Sequence, residues 1–330
     1  MPLHIDRRKL IAMGAAMAAS PLLHWPSSAQ GAWPSARPVR IVCGYPPGGS
    51  TDVVSRSYGE FLTRHFGQTF VVENKGGGSG TVGAIEVKQA KPDGYTIMAT
   101  IATTMIQNRA TIKNLAYDPE KDFEIITIVT GSGSLVIVQP NTGVTNLKEF
   151  VDFAKKKEKV SLGTYAVGST PHLVASELNA QYGLKIEPIH YRGEGPMWAD
   201  FIAGSLDICV GSTAPTLPVL EGGRGKMIAA VGSRNKAFPD VPTLEEQGQQ
   251  PRGSQIRGFV GLWAPAKTPA DILEKLSQAC VVGGKDDRVK KVLDQFYLEP
   301  AMSMADAKKK FDQDSPAMLA ALKGLGIQAE

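Results

Sequence analysis

Cysteine is scarce in this chain. Cys43, Cys209 and Cys280 are the only three, and no C-x-x-C pair occurs. Their spacings match no zinc site. Each lies in an apolar segment, so three buried, inert thiols are expected, with one disulfide plus a free thiol as the other open arrangement. Histidine is scarce too: of five, His4 and His24 fall in the N-terminal leader, which leaves His65, His172 and His190. No HExxH, G-x-S-x-G elbow or P-loop lysine motif occurs, so the commonest metalloprotease, hydrolase and nucleotide-hydrolase signatures are missing. Neither sign of charge dominates. The 36 basic and 32 acidic side chains give +4 overall, and removing the three basic and one acidic residues of 1–29 leaves +2. That balance gives no support to a nucleic-acid surface. No run after the leader reaches the length of a membrane span, and no repeat of fixed period is present.

What is present describes an exported globular protein. Hydrophobic residues make up 42% and charged residues 21% of 330 positions, enough for two domains with ample core. Arg7-Arg8-Lys9 precede the apolar run from Leu10 to Leu23, and Ser27-Ser28-Ala29 offers the small residues of a cleavage site. Residues 1–29 are therefore expected to be a secretory signal, too short and alanine-rich for a lasting anchor. The paired arginines leave the twin-arginine and Sec routes both open. The mature protein is expected to be soluble and periplasmic.

The rest of the chain is organised around residues 39–54. The apolar run Val39-Arg40-Ile41-Val42-Cys43 leads into Gly44-Tyr45-Pro46-Pro47-Gly48-Gly49-Ser50-Thr51-Asp52. This predicts a buried strand, a stiff turn and a helix start. Ser50 or Thr51 can cap that helix, and Asp52 suits the positive end of its dipole. Unpaired N–H groups at a helix start attract anions without any catalytic side chain. An ordinary strand-to-helix connection explains these residues equally well. Apolar residues at helical spacing predict a helix over 51–66, in which His65 is a packing or capping residue.

The glycine loop after the strand at 70–73 includes Gly78-Ser79-Gly80-Thr81-Val82-Gly83, which matches G-x-G-x-x-G. Five residues separate it from its strand, and no acid ends the next strand at 95–100, so a dinucleotide site is not expected. The stretch 124–138 is β-prone and broken by glycines and serines at 131–134, as for a strand passing between domains. Helices at 146–157, 171–182, 196–203 and 213–221 then alternate with strands at 160–165, 186–191, 206–211 and 227–232. This alternation predicts βαβ units and mainly parallel sheets. Lys155-Lys156-Lys157 with Lys159 is a solvated helix end. A strand at 258–265 is placed to cross back, and helices to about 282, at 285–297 and at 304–323 close the chain as a cover.

Two further loops repeat the grammar of the first. Gly163-Thr164-Tyr165-Ala166-Val167-Gly168-Ser169-Thr170-Pro171 is again a strand, a glycine turn and a hydroxyl before a helix. Two helix starts pointing out of glycine turns can hold a ligand between two lobes. In Tyr191-Arg192-Gly193-Glu194-Gly195-Pro196, Arg192 has two available partners, a ligand carboxylate or its neighbour Glu194. Ser169 and His172 are conceivable as nucleophile and base, but His172 falls in the first turn of a helix, where capping or packing accounts for it.

These landmarks resemble the Bug/TctC family, the extracytoplasmic substrate-binding proteins of tripartite tricarboxylate transporters. The matching stretches span nearly the whole mature chain. They are Tyr45-Pro46-Pro47-Gly48-Gly49 with Asp52, Val71 to Lys75, Gly80 to Ala84, Lys91 to Tyr95, Tyr117-Asp118-Pro119 with Asp122-Phe123, His172-Leu173, Tyr191-Arg192-Gly193 with Pro196, Asp240 to Thr243, and Ala264-Pro265 with Thr268-Pro269. The resemblance implies an α/β, two-lobed Venus-flytrap architecture with two crossover strands. One lobe would comprise residues 36–134 plus 259–330, and the other 135–258. It implies a monomer, without cofactor or metal, that captures a small organic acid and delivers it to membrane permease subunits.

The ligand set that follows is Tyr45, Gly48, Gly49, Ser50, Thr51 and Asp52 on one side, with Thr103. From the facing lobe come Thr164, Tyr165, Val167, Gly168, Ser169 and Thr170, with Arg192, Gly211 and Ser212. Family members often carry an aspartate where this chain has Gly211. Room there, plus the aromatic Tyr165, favours a larger or aromatic carboxylate over a small dicarboxylate. An exported cofactor-dependent enzyme and the sensory subunit of a membrane regulator are the competing classes.

Overall fold

The computed structural model describes residues 33–327 and Ala329, so the expected leader lies outside the described residues. The first apolar run forms β1 (Val39–Cys43). Val39, Ile41, Val42 and Cys43 are fully buried, as expected of a strand covered on both faces. Burying each such aliphatic side chain contributes about 1.5–3 kcal/mol. The next elements are α1 (Ser50–Phe66), β2 (Phe70–Asn74), α2 (Thr81–Lys88) and β3 (Thr96–Ile101). Short helices α3 (Asn108–Thr111) and α4 (Pro119–Asp122) precede β4 (Phe123–Thr130). The chain then passes through residues 131–133 into β5 (Ser134–Val138).

The second half builds α5 (Leu147–Lys156), β6 (Val160–Thr164), α6 (Thr170–Tyr182), β7 (Ile186–His190) and α7 (Glu194–Ile202). It continues with β8 (Ile208–Gly211), α8 (Thr213–Glu221) and β9 (Lys226–Val231). The chain returns as β10 (Phe259–Pro265) and ends in α9 (Ala270–Gly283), α10 (Asp287–Gln295) and α11 (Met304–Gly324). The result is two five-stranded sheets, ordered β2-β1-β3-β10-β4 and β7-β6-β8-β5-β9.

In each sheet one strand runs against the other four, and it is the strand that has just crossed over. β10 is antiparallel to β3 and β4, and β5 is antiparallel to β8 and β9. The remaining strands share one direction, through β1 with β2 and β3 and β6 with β7 and β8. Each lobe therefore turns the carboxyl ends of four strands toward one edge, which is where open α/β sheets bind ligands. The C-terminal helices cover the first sheet, with Leu276, Val289 and Leu293 in one core and Phe311 and Met318 in the other. All three cysteines are free and buried.

The glycine loop is a packing device. Gly80 has φ +85°, and a Cβ there would stand 2.2 Å from Thr104 Oγ1. Ser79 O accepts hydrogen bonds from Thr104 Oγ1 and Asn108 Nδ2, both at 3.0 Å. The loop thus braces a turn of π-helix at Thr103–Gln107 that periodicity did not anticipate. Gly80→Ala should lower stability by roughly 2 kcal/mol or more through strain and displacement of Thr104. A urea midpoint unchanged from the parent would contradict this packing.

Candidate functional site

Because both sheets turn their carboxyl ends the same way, the connections leaving them converge on one cavity of about 110 Å³. Tyr45, Pro46 and Gly49 to Thr51 follow β1, Ala102, Thr103 and Gln107 follow β3, and Tyr165 and Thr170 follow β6. Glu194 enters after β7 and Ser212 after β8, while Arg257, Phe259 and Val260 line the wall where the chain re-enters the first sheet. Of the residues expected from sequence, Tyr45, Gly49, Ser50, Thr51, Thr103, Tyr165, Thr170 and Ser212 share this cavity.

The start of α1 differs in detail from the expected capping. Gly49 is the N-cap residue, and no side chain caps the helix. Ser50 Oγ lies 2.5 Å from Ser212 Oγ across the cleft instead. Asp52 does not face the cavity. Its carboxylate accepts the Gly48 N–H at 3.2 Å and Asn74 Nδ2 at 2.9 Å, and pairs with Arg56 at 2.9 Å. Burial alone would raise its pKa, but Arg56, Asn74 and the Gly48 N–H outweigh that and hold it below the ordinary aspartate value. Asp52 and Gly48 are thus a brace that shapes the turn. Tyr45 shares a 3.2 Å hydrogen bond with Thr104, and burial pushes its phenol pKa well up.

On the facing lobe, Thr164, Val167, Gly168 and Ser169 stand behind the cavity wall. Thr164 is fully buried, with Oγ1 2.6 Å from His190 Nδ1. Gly168 packs so closely on the first lobe that an added Cβ would meet Thr111 at 2.9 Å. Ser169 Oγ donates to the Ala166 carbonyl at 2.6 Å, and His172 Nδ1 accepts the Gly168 N–H at 3.0 Å. Each half of the Ser169–His172 pair is therefore engaged elsewhere. Thr170 stands beside the Tyr165 phenol and favours its ionised form. Arg192 is exposed and does not line the cavity. Gly211 gives no room, because a Cβ there would stand 2.6 Å from the Trp198 ring.

Glu194, Gln107, Arg257 and Phe259 line the cavity and were missed as site residues. Glu194 was read only as a partner for Arg192. Its Oε1 instead accepts the Ser212 N–H at 2.7 Å, and its Oε2 accepts Ser212 Oγ at 2.6 Å. The signal was the Gly193-Glu194-Gly195 spacing. A Cβ on Gly193 would meet Pro46 at 2.9 Å, and one on Gly195 would meet the Pro47 carbonyl at 3.1 Å. Two glycines let the loop lie on the diproline turn of the other lobe, which seats the acid between α1 and α8. Burial raises the Glu194 pKa, against the lowering effect of the Ser212 hydrogen bonds and of the Ser50 N–H. The Tyr165 phenol is raised by burial and by the charge of Glu194. Among the described residues no cluster of three metal-ligating side chains occurs.

His172, beside His190 with ring centroids 4.8 Å apart, is lowered to a pKa of about 4 by burial and by that neighbour. The unfolded chain takes up this proton near pH 6.5, so the neutral imidazole's contribution is complete above that pH. It is lost as pH falls from about 6.5 toward 4. Between pH 7 and 4.5 the parent should lose about 2 kcal/mol more stability than His172→Asn, in urea titrations at both pH values. Equal losses would place the imidazole in water.

A family model described as the tripartite tricarboxylate transporter family receptor matches residues 54–323. The chain is similar to the UPF0065 protein in the TAR-I ttuE-ttuC' intergenic region of Agrobacterium vitis, with 32% identity over 83% of this chain and 79% of the relative. Among solved structures it is similar to the periplasmic binding protein BugD, at 29% identity and a TM-score of 0.82 over 89% of this chain and 99% of that one. It is also similar to Rpa4515 of R. palustris, solved with adipate, at 26% identity and a TM-score of 0.85 over 90% and 100% of the two chains. With two sheets joined by two crossover strands, the chain belongs to the tripartite tricarboxylate transporter receptor family and has the two-lobed fold of periplasmic binding proteins.

Proposed function

We propose that this protein is an exported receptor that captures a small carboxylate-bearing molecule and delivers it to the permease subunits of a tripartite tricarboxylate-type transporter. The observation that carries the proposal is the start of α1 opening into a cavity closed by the other lobe. The N–H groups at such a start lack intrahelical acceptors and sit at the positive end of the dipole. The relative solved with adipate supports an acid as ligand. Tyr45, Tyr165, Phe259 and Leu298 line the same space and support a larger or aromatic body on that acid. This preference rests on those walls and no longer on Gly211.

The protein acts as a monomer in the periplasm, with the chain divided between lobes near residues 134 and 258. No helix among the described residues is long and apolar enough to cross a membrane. Charge-assisted hydrogen bonds contribute about 1.5–3 kcal/mol each. A few of them, less the cost of immobilising the ligand, give an affinity near micromolar, or about −8 kcal/mol. A ligand that touches both lobes only when they are shut stabilises the shut form by population shift.

A thermal-shift screen over aliphatic and aromatic mono-, di- and tricarboxylates should find acids that raise the melting temperature without being consumed. For the best of them, Gly49→Leu should weaken binding at least tenfold in calorimetry. Gly49 has an ordinary φ, and a Cβ there meets only Glu194 at 3.9 Å, so the longer side chain fills the approach to α1 rather than straining the turn. Affinity unchanged by that substitution would place the ligand elsewhere.

A further inference from the structure

Glu194 stands where an anion would be expected. Its two oxygens take the backbone N–H and the hydroxyl of Ser212 at the start of α8. Burial raises its pKa, against the Ser212 and Ser50 groups that favour the charged form, and the Ser50 hydroxyl meets that of Ser212 at 2.5 Å. The start of α8 is thus filled by a carboxylate that belongs to the protein, and a Cβ on Gly49, at the start of α1, would stand 3.9 Å from its Oε2. A second, independent feature of the same cavity points the same way. Gln107 is 3% exposed and lines the cavity, and its Oε1 has no hydrogen-bond partner. A buried acceptor without a donor is costly and calls for a donor from whatever fills the space. Arg257 also lines the cavity, beside the Gly131 carbonyl, and supplies a cation for an acid group.

We propose that Glu194 sets the class of ligand. Its carboxylate fills the anion position at the start of α8, opposite the open start of α1, so the cavity takes an acid that also carries a hydroxyl or ammonium donor and turns away a second carboxylate. The inference rests on the carboxylate-receptor proposal and narrows it. Two carboxylates sharing one narrow site repel each other strongly, whereas a hydroxyl or ammonium in the second position is met by Glu194 as an acceptor. Matching a buried acceptor to a donor is the device that discriminates most sharply between ligands of equal size.

The test uses pairs of acids that differ only in the second group: 4-hydroxybutyrate against succinate, 6-hydroxyhexanoate against adipate, and 4-hydroxybenzoate against terephthalate. Each is titrated calorimetrically into the full mature protein and into Glu194→Gln, which keeps the shape and removes the charge. Glu194→Ser serves as a second variant should the first fail to fold. Within whichever pairs bind, the parent should prefer the hydroxy acid at least tenfold, and the variant should lose or reverse that preference through a gain in dicarboxylate affinity. Comparing members of a pair within one protein cancels any effect of the variant on lobe closure, which acts on both alike. A parent that binds the dicarboxylate as tightly as its hydroxy partner, or a preference that survives Glu194→Gln, overturns the assignment of Glu194 and leaves the receptor proposal standing. No binding of any acid by either protein overturns both.

Discussion

A helix start leaves main-chain N–H groups without acceptors, and this molecule points several of them into a narrow space between two lobes. Each buried N–H must meet an oxygen or cost about 1–3 kcal/mol. The chain supplies several of those oxygens itself. Asp52 serves Gly48, and Glu194 serves Ser212. The internal acceptors define the turns, hold the loops in place, and decide which donors remain for a ligand. Binding an acid is then a matter of filling positions that the backbone has prepared, with no bond made or broken.

The position of this space follows from strand direction. Four strands of each sheet run the same way, so their outgoing connections gather at one edge, and the antiparallel β5 and β10 tie the two edges to each other. The segment that returns to β10 is fixed by a buried acid: Glu177, 2% exposed, accepts the N–H groups of Arg252 and Ser254 at 2.9 and 3.0 Å. That anchoring sets Ser254 and the residues just beyond it, Ile256 to Val260, into the cavity wall. Packing far from the cleft thereby places side chains within it.

Much of this architecture was legible in the sequence, because strand and helix periods, proline–glycine turns and hydroxyl residues before helices are local signals. The helix expected over 51–66 and the break at 131–134 depend on residues within one turn of themselves. The turn of π-helix at Thr103–Gln107 was not legible: the strand was expected to end at 100 with no element assigned after it, and the bracing contacts come from Gly80 and Ser79, distant in the chain. Site residues divided along the same line. Gly49 to Thr51 and Thr170, which line the cavity, were singled out through capping chemistry. Asp52 was misplaced because its partner Asn74 is 22 residues away. Gly211 was read as open because Trp198, which fills that space, lies on another element. Glu194 was passed over since its role requires Ser212 and the diproline turn, both distant in the chain.

The most direct test of the anion-accepting helix start is an amide NMR titration of nitrogen-15-labelled protein with a carboxylate that raises its melting temperature. The largest shifts should fall on the backbone N–H groups of Ser50 and Thr51, with smaller ones at Thr170 and Ser212. Shifts confined to another surface, such as the lysines at 155–159, with Ser50 and Thr51 unmoved at saturation, would contradict it.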